Sequence, residues 1–202
     1  MGLTVKNVSI PTLSEINFEI VQPGIYGVIG RNGIGKSTLF SILSKEISIR
    51  EGTIESGRVA YLPDIEVFNG NLTASDYFQL LNKEEMAIAS RLSTAFGADK
   101  FGHQKIGKYS LGMKQLFAVI FCFAMDSDVL IIDELFSGLD VAIKTKVIAE
   151  LRQLGERKII LFTSHHLKEV ENIYNQTYLL SENGLHIVED FTLAAEEIGA
   201  NY

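Results

Sequence analysis

The chain has 202 residues, 47% of them hydrophobic, and a formal net charge of −7. A chain of this length supports one sizeable core, burying roughly 70% of the surface its unfolded form exposes, and the acidic balance excludes an unaided nucleic-acid binder, which needs a basic face for phosphates. The single cysteine, Cys122, excludes an internal disulfide and, set in an apolar run, reads as a small buried hydrophobe in a reducing compartment.

The first residues read as strand, not as a secretory leader. Leu3–Val8 and Ile16–Val21 alternate apolar and polar residues, as expected of an antiparallel sheet with one wet face. A more apolar strand, Ile25–Ile29, enters a glycine-rich turn and then a helix over Ser37–Lys45. Arg58–Leu62 reads as strand. Thr73 with Asp76 resembles a capping box opening a helix over Ala74–Leu81. Lys83–Phe96 puts Met86, Ala89, Leu92 and Phe96 on one helical face, and Leu111–Met125 is a mostly apolar helix. Val129–Asp133 and Ile159–Ser164 read as strands that hold the continuous apolar runs Val129–Ile132 and Ile159–Phe162, as in parallel strands buried on both faces. Between them Asp140 can cap a helix over Val141–Leu154, with Val147, Ile148, Leu151 and Leu154 as its stripe. Thr177–Ser181 and Leu185–Glu189 are the last strands. The alternation of strand and helix predicts an α/β fold. The longest apolar run, Leu116–Met125, has ten residues, against about 20 for a membrane span. If the protein works at a membrane, another chain crosses it.

Gly30-Arg31-Asn32-Gly33-Ile34-Gly35-Lys36-Ser37-Thr38 fits the pattern of a phosphate-cradling loop, and it lies between a strand and a helix as that loop must. Glycines let the backbone wrap closely, so that N–H groups point at phosphate oxygens, and the helix that follows offers its positive end. Lys36 is expected to reach the outer phosphates and the Ser37 hydroxyl to ligate Mg²⁺. A glycine-rich turn without a ligand is the plainer alternative, which the strand–loop–helix setting disfavours. The apolar strand Val129–Asp133 runs directly into Glu134. Ligands of open α/β sheets bind at the carboxyl ends of strands, so Asp133 is expected to hold Mg²⁺ beside the loop and Glu134 to orient and deprotonate an attacking water.

Three further segments carry a resemblance. Tyr109-Ser110-Leu111-Gly112-Met113-Lys114-Gln115 resembles the signature segment of ATP-binding cassette proteins, Ser137-Gly138-Leu139-Asp140 their D-loop, and Thr163-Ser164-His165-His166 their switch-histidine segment. The spacings of 23 residues from Ser110 to Asp133 and 32 from Asp133 to His165 suit that family. The resemblance covers about Leu3 to Glu189. It is most similar to bacterial peptide, antibiotic and drug exporters, and implies a P-loop NTPase core with a mostly parallel sheet, an N-terminal antiparallel β subdomain and a short helical subdomain near 70–110, all within a single ATPase domain spanning residues 1–202. It implies ATP and Mg²⁺ as cofactors, and two such domains, in a homodimer or heterodimer, enclosing ATP head to tail. Lys36, Glu134 and His165 are then catalytic. Ser110, Gly112 and the D-loop Asp140 serve the nucleotide of the other subunit, with Ser110 and the backbone N–H groups near Gly112 forming a second anion site at a helix start. The resemblance also implies a separate integral membrane permease and a cytoplasmic location at the inner face of the membrane. The permease is expected to dock near Asp64–Leu72. A soluble cassette ATPase in cofactor assembly is the alternative. Taken singly, Ser110 also reads as an ordinary helix cap and His165 as a strand-end histidine.

The sequence departs from the family pattern in places. Leu111 and Met113 replace the usual glycine and glutamine of the signature, Leu135 replaces a proline, and Asp64 stands at the position of a glutamine. Asp64 is acceptor-only and is expected to meet Mg²⁺ or a water. Val8-Ser9-Ile10-Pro11 lacks the aromatic that would stack on adenine, and the 74 residues from Lys36 to Ser110 are few for the family.

Overall fold

The computed structural model describes residues 2–61, 65–133, 138–163 and 173–199. The two runs read as doubly buried strands lie inside a six-stranded sheet. Its strands are β3 (Gly24–Ile29), β5 (Val59–Tyr61), β6 (Val129–Asp133), β7 (Ile159–Thr163), β8 (Gln176–Ser181) and β9 (Gly184–Ile187), in the order β5-β6-β7-β3-β8-β9. All neighbours are parallel except the β8–β9 hairpin. Every residue of β3 and β7 is buried, and β6 only begins to open at Asp133. The continuous apolar pattern follows from this burial, each enclosed Ile, Leu or Phe contributing roughly 1.5–3 kcal/mol.

The alternating strands β1 (Leu3–Ile10) and β2 (Leu13–Ile20), with β4 (Thr53–Glu55), form a separate antiparallel sheet in the order β2-β1-β4. Its inward residues Leu3, Val5, Val8, Ile16 and Ile20 share one core with Leu39, Phe40 and Leu43 of helix α1 (Lys36–Leu43) and with Val129, Ile131 and Leu161 of the larger sheet. The register slips between Val5 and Ile10, where Asn7 and Glu15 take positive φ. The second strand consequently begins earlier than its sequence suggests and ends at Ile20, leaving Val21 61% exposed. Among the described residues, a strand and a helix went unread in the sequence. β4 has three residues, two of them exposed, and is held by pairing with β1. The C-terminal helix α6 (Phe191–Ile198) buries Ala194 and Ala195 against Ile29 and Leu179. Strands β1–β9, α1 and α6 belong to one compact unit, residues 1–61, 127–134 and 152–202.

The second unit comprises residues 62–126 and 135–151. It contains α2 (Ala74–Phe78), α3 (Lys83–Phe96), α4 (Leu111–Ala124) and α5 (Val141–Gly155) as far as Leu151. The capping box forms as expected, Thr73 and Asp76 exchanging hydrogen bonds. Helix α2 stops at Phe78, short of the expected Leu81, because Leu80 and Leu81 turn back onto Tyr77 and Phe78 in tighter three-residue bonds. In α3 the buried face is Ala89, Leu92, Ser93 and Phe96; Met86, expected there, is 37% exposed one turn too near the end. Phe68, Tyr77, Phe117 and Phe121 pack edge to face or tilted, with ring centroids 4.6–6.1 Å apart. Such pairs add about 0.5–1.5 kcal/mol each beyond area burial. Phe68 is therefore core, while Val67 and Leu72 stay 56% and 39% exposed. Cys122 is buried and unpaired with another cysteine, its thiol pushed up to about 12 by burial. Among the described residues no helix is long and apolar enough to cross a membrane.

Candidate functional site

In the first unit the candidate phosphate loop leaves the end of β3 and enters α1. Gly33 and Gly35 have φ of 79° and 113°, a region an L side chain enters only with strain. Gly35 has a second reason to be glycine, since a Cβ there would sit 2.7 Å from Thr12 Oγ1 and closer still to Ile10. Thr12, in the turn between β1 and β2, donates a hydrogen bond of 2.6 Å to the Ile34 carbonyl and so ties the loop to the smaller sheet. Lys36 Nζ donates to the Gly30 and Arg31 carbonyls at 2.7 and 3.2 Å, lying along the loop it is expected to serve. Helix α1 starts at a residue without a capping side chain and has no acid in its first turn. Its N-terminal N–H groups and positive dipole end thus suit an anion. Arg31, Asn32, Gly33 and Ile34 also form one wall of a cleft of about 740 Å³, bounded opposite by the β8–β9 turn and the end of α6.

Asp133 ends β6, two strands from β3 with β7 between them. Its Oδ2 accepts from Ser37 Oγ at 2.8 Å and its Oδ1 from Thr163 Oγ1 at 2.6 Å. Parallel pairing sets Asp133 beside Thr163, which is 2% exposed. Ser37 and Asp133, 96 residues apart, thus come together at the root of the loop. Two hard oxygen donors, one a carboxylate, fit Mg²⁺, which takes one or two carboxylates and fills its octahedron with water and phosphate oxygens. The negative charge has a nearby witness. Burial first, then the carboxylates of Asp133 and Glu46, hold the Tyr61 phenol well above its usual range, against a smaller opposing influence of the Ser41 hydroxyl.

In the second unit Ser110 is the N-cap of α4, its Oγ accepting from the Met113 N–H at 3.3 Å. The plain helix-cap reading of Ser110 is thus true of its geometry, and does not compete with a role toward an anion at the same helix start. Leu111 is 59% exposed. Gln115 Oε1 accepts from the Gly138 N–H at 2.7 Å, and Asp140 Oδ1 from the Ile143 N–H at 3.0 Å, capping α5 as its sequence predicts. Ser110, Gly112, Met113, Gly138 and Asp140 line one side of a cleft of about 410 Å³. Asp64, Glu134 and His165 lie outside the described residues. Thr12 carried no local signal that would have singled it out, and Thr163 and Gln115 lie in the switch-like and signature-like segments without a role assigned from sequence. Each becomes visible only through its partner in space.

The family model described as ABC transporter matches residues 13–137. An uncharacterized ABC transporter ATP-binding protein of Methanocaldococcus jannaschii is 30% identical over 187 residues, covering 84% of this chain and 68% of its own length. A teichoic acids export ATP-binding protein of Bacillus anthracis is 30% identical over 169 residues, or 79% of this chain; the chain spans only 31% of that relative's length. A solved structure of the ATP-binding subunit of an ABC transporter superposes with a TM-score of 0.84 over 99% of this chain and 95% of its own, at 22% identity, which establishes the common fold. The expected α/β architecture, a mostly parallel sheet with an antiparallel N-terminal sheet, is the one found. On its glycine-rich loop, its Ser37–Asp133 pairing and these matches, the chain belongs to the ABC transporter family and is an ATP-binding domain of that family.

Proposed function

We propose that the chain hydrolyses ATP to drive a separate membrane protein, and that the transporter so formed is an exporter. The observation that carries hydrolysis is the meeting of Ser37 and Asp133 at the base of the phosphate loop. It supports a site where Gly30–Thr38 wraps the phosphates, Lys36 neutralises the outer ones, and Ser37 with Asp133 holds Mg²⁺. Bound there, the ion would supply charge neutralisation at the β- and γ-phosphate oxygens. Glu134 orients the attacking water and takes its proton, and His165 steadies the charge that develops on the γ-phosphate. Asp64 adds an acceptor for a water or the ion.

Both units serve one ATPase domain, the second acting as its helical part. Two copies, or this chain and a paralogue, bind ATP head to tail. The helix start at Ser110 and Gly112, together with Asp140 of the D-loop, then faces the γ-phosphate held by the other copy. The exposed Val67 and Leu72 suit contact with a permease segment, which would hold the chain at the cytoplasmic face of the membrane. Export is favoured by the similarity to the teichoic acids export ATP-binding protein of Bacillus anthracis. Nucleic acid is not a partner in this reading.

Glu134→Gln tests it. The variant is expected to retain ATP, lose phosphate release and elute as an ATP-dependent dimer on gel filtration. Hydrolysis at the parent rate would remove Glu134 from its role, and a monomer at saturating ATP would remove the sandwich. Co-purification from native membranes with a multi-span protein tests the transport assignment; a soluble partner would favour cofactor assembly instead.

A further inference from the structure

A cavity of about 220 Å³ opens within the second unit, bounded by α2, α3, α4 and the segment 98–103 that follows α3. Part of its wall is aromatic. Phe78 and Phe117 contribute rings with centroids 5.9 Å apart, and Phe101, braced edge-on by Tyr109 at 5.0 Å, adds a third. The rest is polar. Ser90, Ser93 and Thr94 bring three hydroxyls at helical spacing on α3, and Ser93 is 8% exposed. An apolar side chain at Ser93 would fill the hollow; serine keeps it open and lines it with oxygen. Ser75 Oγ lies 3.1 Å from the Gly102 carbonyl and 3.2 Å from His103 Nδ1. A hydroxyl has one proton and a carbonyl only accepts, so Ser75 donates to Gly102 and His103 Nδ1–H donates to Ser75. In the neutral ring Nε2 is then an acceptor. Asp99 also lines the cavity, and its carboxylate takes no hydrogen bond or ion pair from the described residues.

The charge pattern selects the ligand. No lining residue is Lys or Arg, and Lys100 and Lys105, beside the lining residues in sequence, are exposed and take no part in the wall. Acceptors without a basic partner disfavour an anion. Set beside aromatic rings they suit an ammonium group, which ring faces attract and whose N–H groups a carboxylate and an imidazole nitrogen accept. A cavity of about 150 Å³ is enough for benzene, so this one holds a single ring with a short arm. We propose that the cavity is a binding site for a small organic ammonium compound of the size of benzylamine. Its apolar part lies against Phe78, Phe101 and Phe117, and its ammonium turns toward Asp99 and His103. The site needs neither nucleotide nor a second copy, and stands apart from the ATPase reading.

The test titrates the full chain with benzylammonium chloride, followed by amide chemical shifts and by thermal unfolding. Saturable binding with a Kd of about 1 mM is expected for a ligand this small, with the largest shifts at Ser75, Ser93 and Gly102. At about 10 mM ligand the Tm should rise by about 3–5 °C. Benzyl alcohol, the neutral analogue, should bind about fivefold more weakly, and benzoate should not saturate. Asp99→Asn should weaken benzylammonium by about fivefold and leave benzyl alcohol unchanged. Ser93→Leu fills the hollow and should remove binding of both, with Tm at or above that of the parent; should it fail to fold, the exposed Asp99→Asn decides the case. No saturation by about 20 mM benzylammonium, far above the Kd expected of such a ligand, overturns the proposal. So do benzoate binding as tightly as benzylammonium, an unaltered affinity in Asp99→Asn, and shifts confined to residues away from the cavity.

Discussion

Replacing Thr163 by valine removes one hydroxyl and almost no volume, and the site reads the loss through Asp133. Thr163 is 2% exposed and donates to Asp133 Oδ1 at 2.6 Å, so no water is at hand to replace it. A hydrogen bond to a charged group contributes about 1.5–3 kcal/mol. With an m-value near 2 kcal/mol/M, the urea midpoint should fall by about 1 M. The second consequence is local. Asp133 would keep only the Ser37 contact, and a carboxylate free to rotate is a poorer ligand. Loss of a partner that orients a metal ligand typically costs 10–100-fold in metal affinity, so with Asp133 in its proposed role the Mg²⁺ concentration for half-maximal nucleotide binding should rise by about that factor. Thr163→Ser, which keeps the hydroxyl, should restore both. The assays are urea unfolding followed by circular dichroism and Mg²⁺ titration with a fluorescent ATP analogue. A Thr163→Val protein that matches the parent in both would refute the assignment of Thr163 as the residue that holds Asp133 in place.

Lys36→Ala should abolish saturable ATP binding while leaving the circular dichroism spectrum intact, because the Lys36 ammonium lies along the loop, donating to the Gly30 and Arg31 carbonyls at 2.7 and 3.2 Å; unchanged affinity would remove the phosphate-cradle assignment. Stability should fall in alkali. Burial raises the Cys122 thiol from 9.0 to about 12, so the folded chain holds a proton that the unfolded chain has lost. That contribution is complete below pH 9 and is lost as pH climbs toward 12. Tyr61 and Tyr174 are raised by burial as well and act in the same direction at higher pH. Urea midpoints should be flat up to pH 9 and decline above it, less steeply in Cys122→Ala. An identical decline in that variant would count against the buried thiol as a cause.

The elements that the sequence specified best are those signalled at both ends. Helix Lys83–Phe96 is bounded by the Asn82 cap and by Gly97 in a left-handed conformation, and strand Val129–Asp133 by a change from polar to apolar and back. Both have the limits their sequences predict. Helix α6 had comparable signals, an Asp190 cap and Gly199 beyond its end, and went unread because its two buried alanines make a faint stripe. β4 had none, since three mostly exposed residues become a strand only when β1 is there to pair with them.

The sequence by itself determined the chemistry on offer: a glycine-rich loop with Lys36 and Ser37, an apolar strand ending at Asp133, and a serine placed to start an apolar helix. Those follow from local rules, because backbone freedom, hydrophobic period and capping are properties of neighbouring residues. Only the tertiary structure decided which distant groups act together. Strand order brings Ser37 to Asp133 across 96 residues, parallel register sets Thr163 beside Asp133, a turn of the smaller sheet supplies Thr12 to the glycine-rich loop, and a buried glutamine finds Gly138. Hydrogen bonds of this kind depend on angstrom-scale placement of chain segments that share no local signal, so they exist only once the sheets and helices have packed.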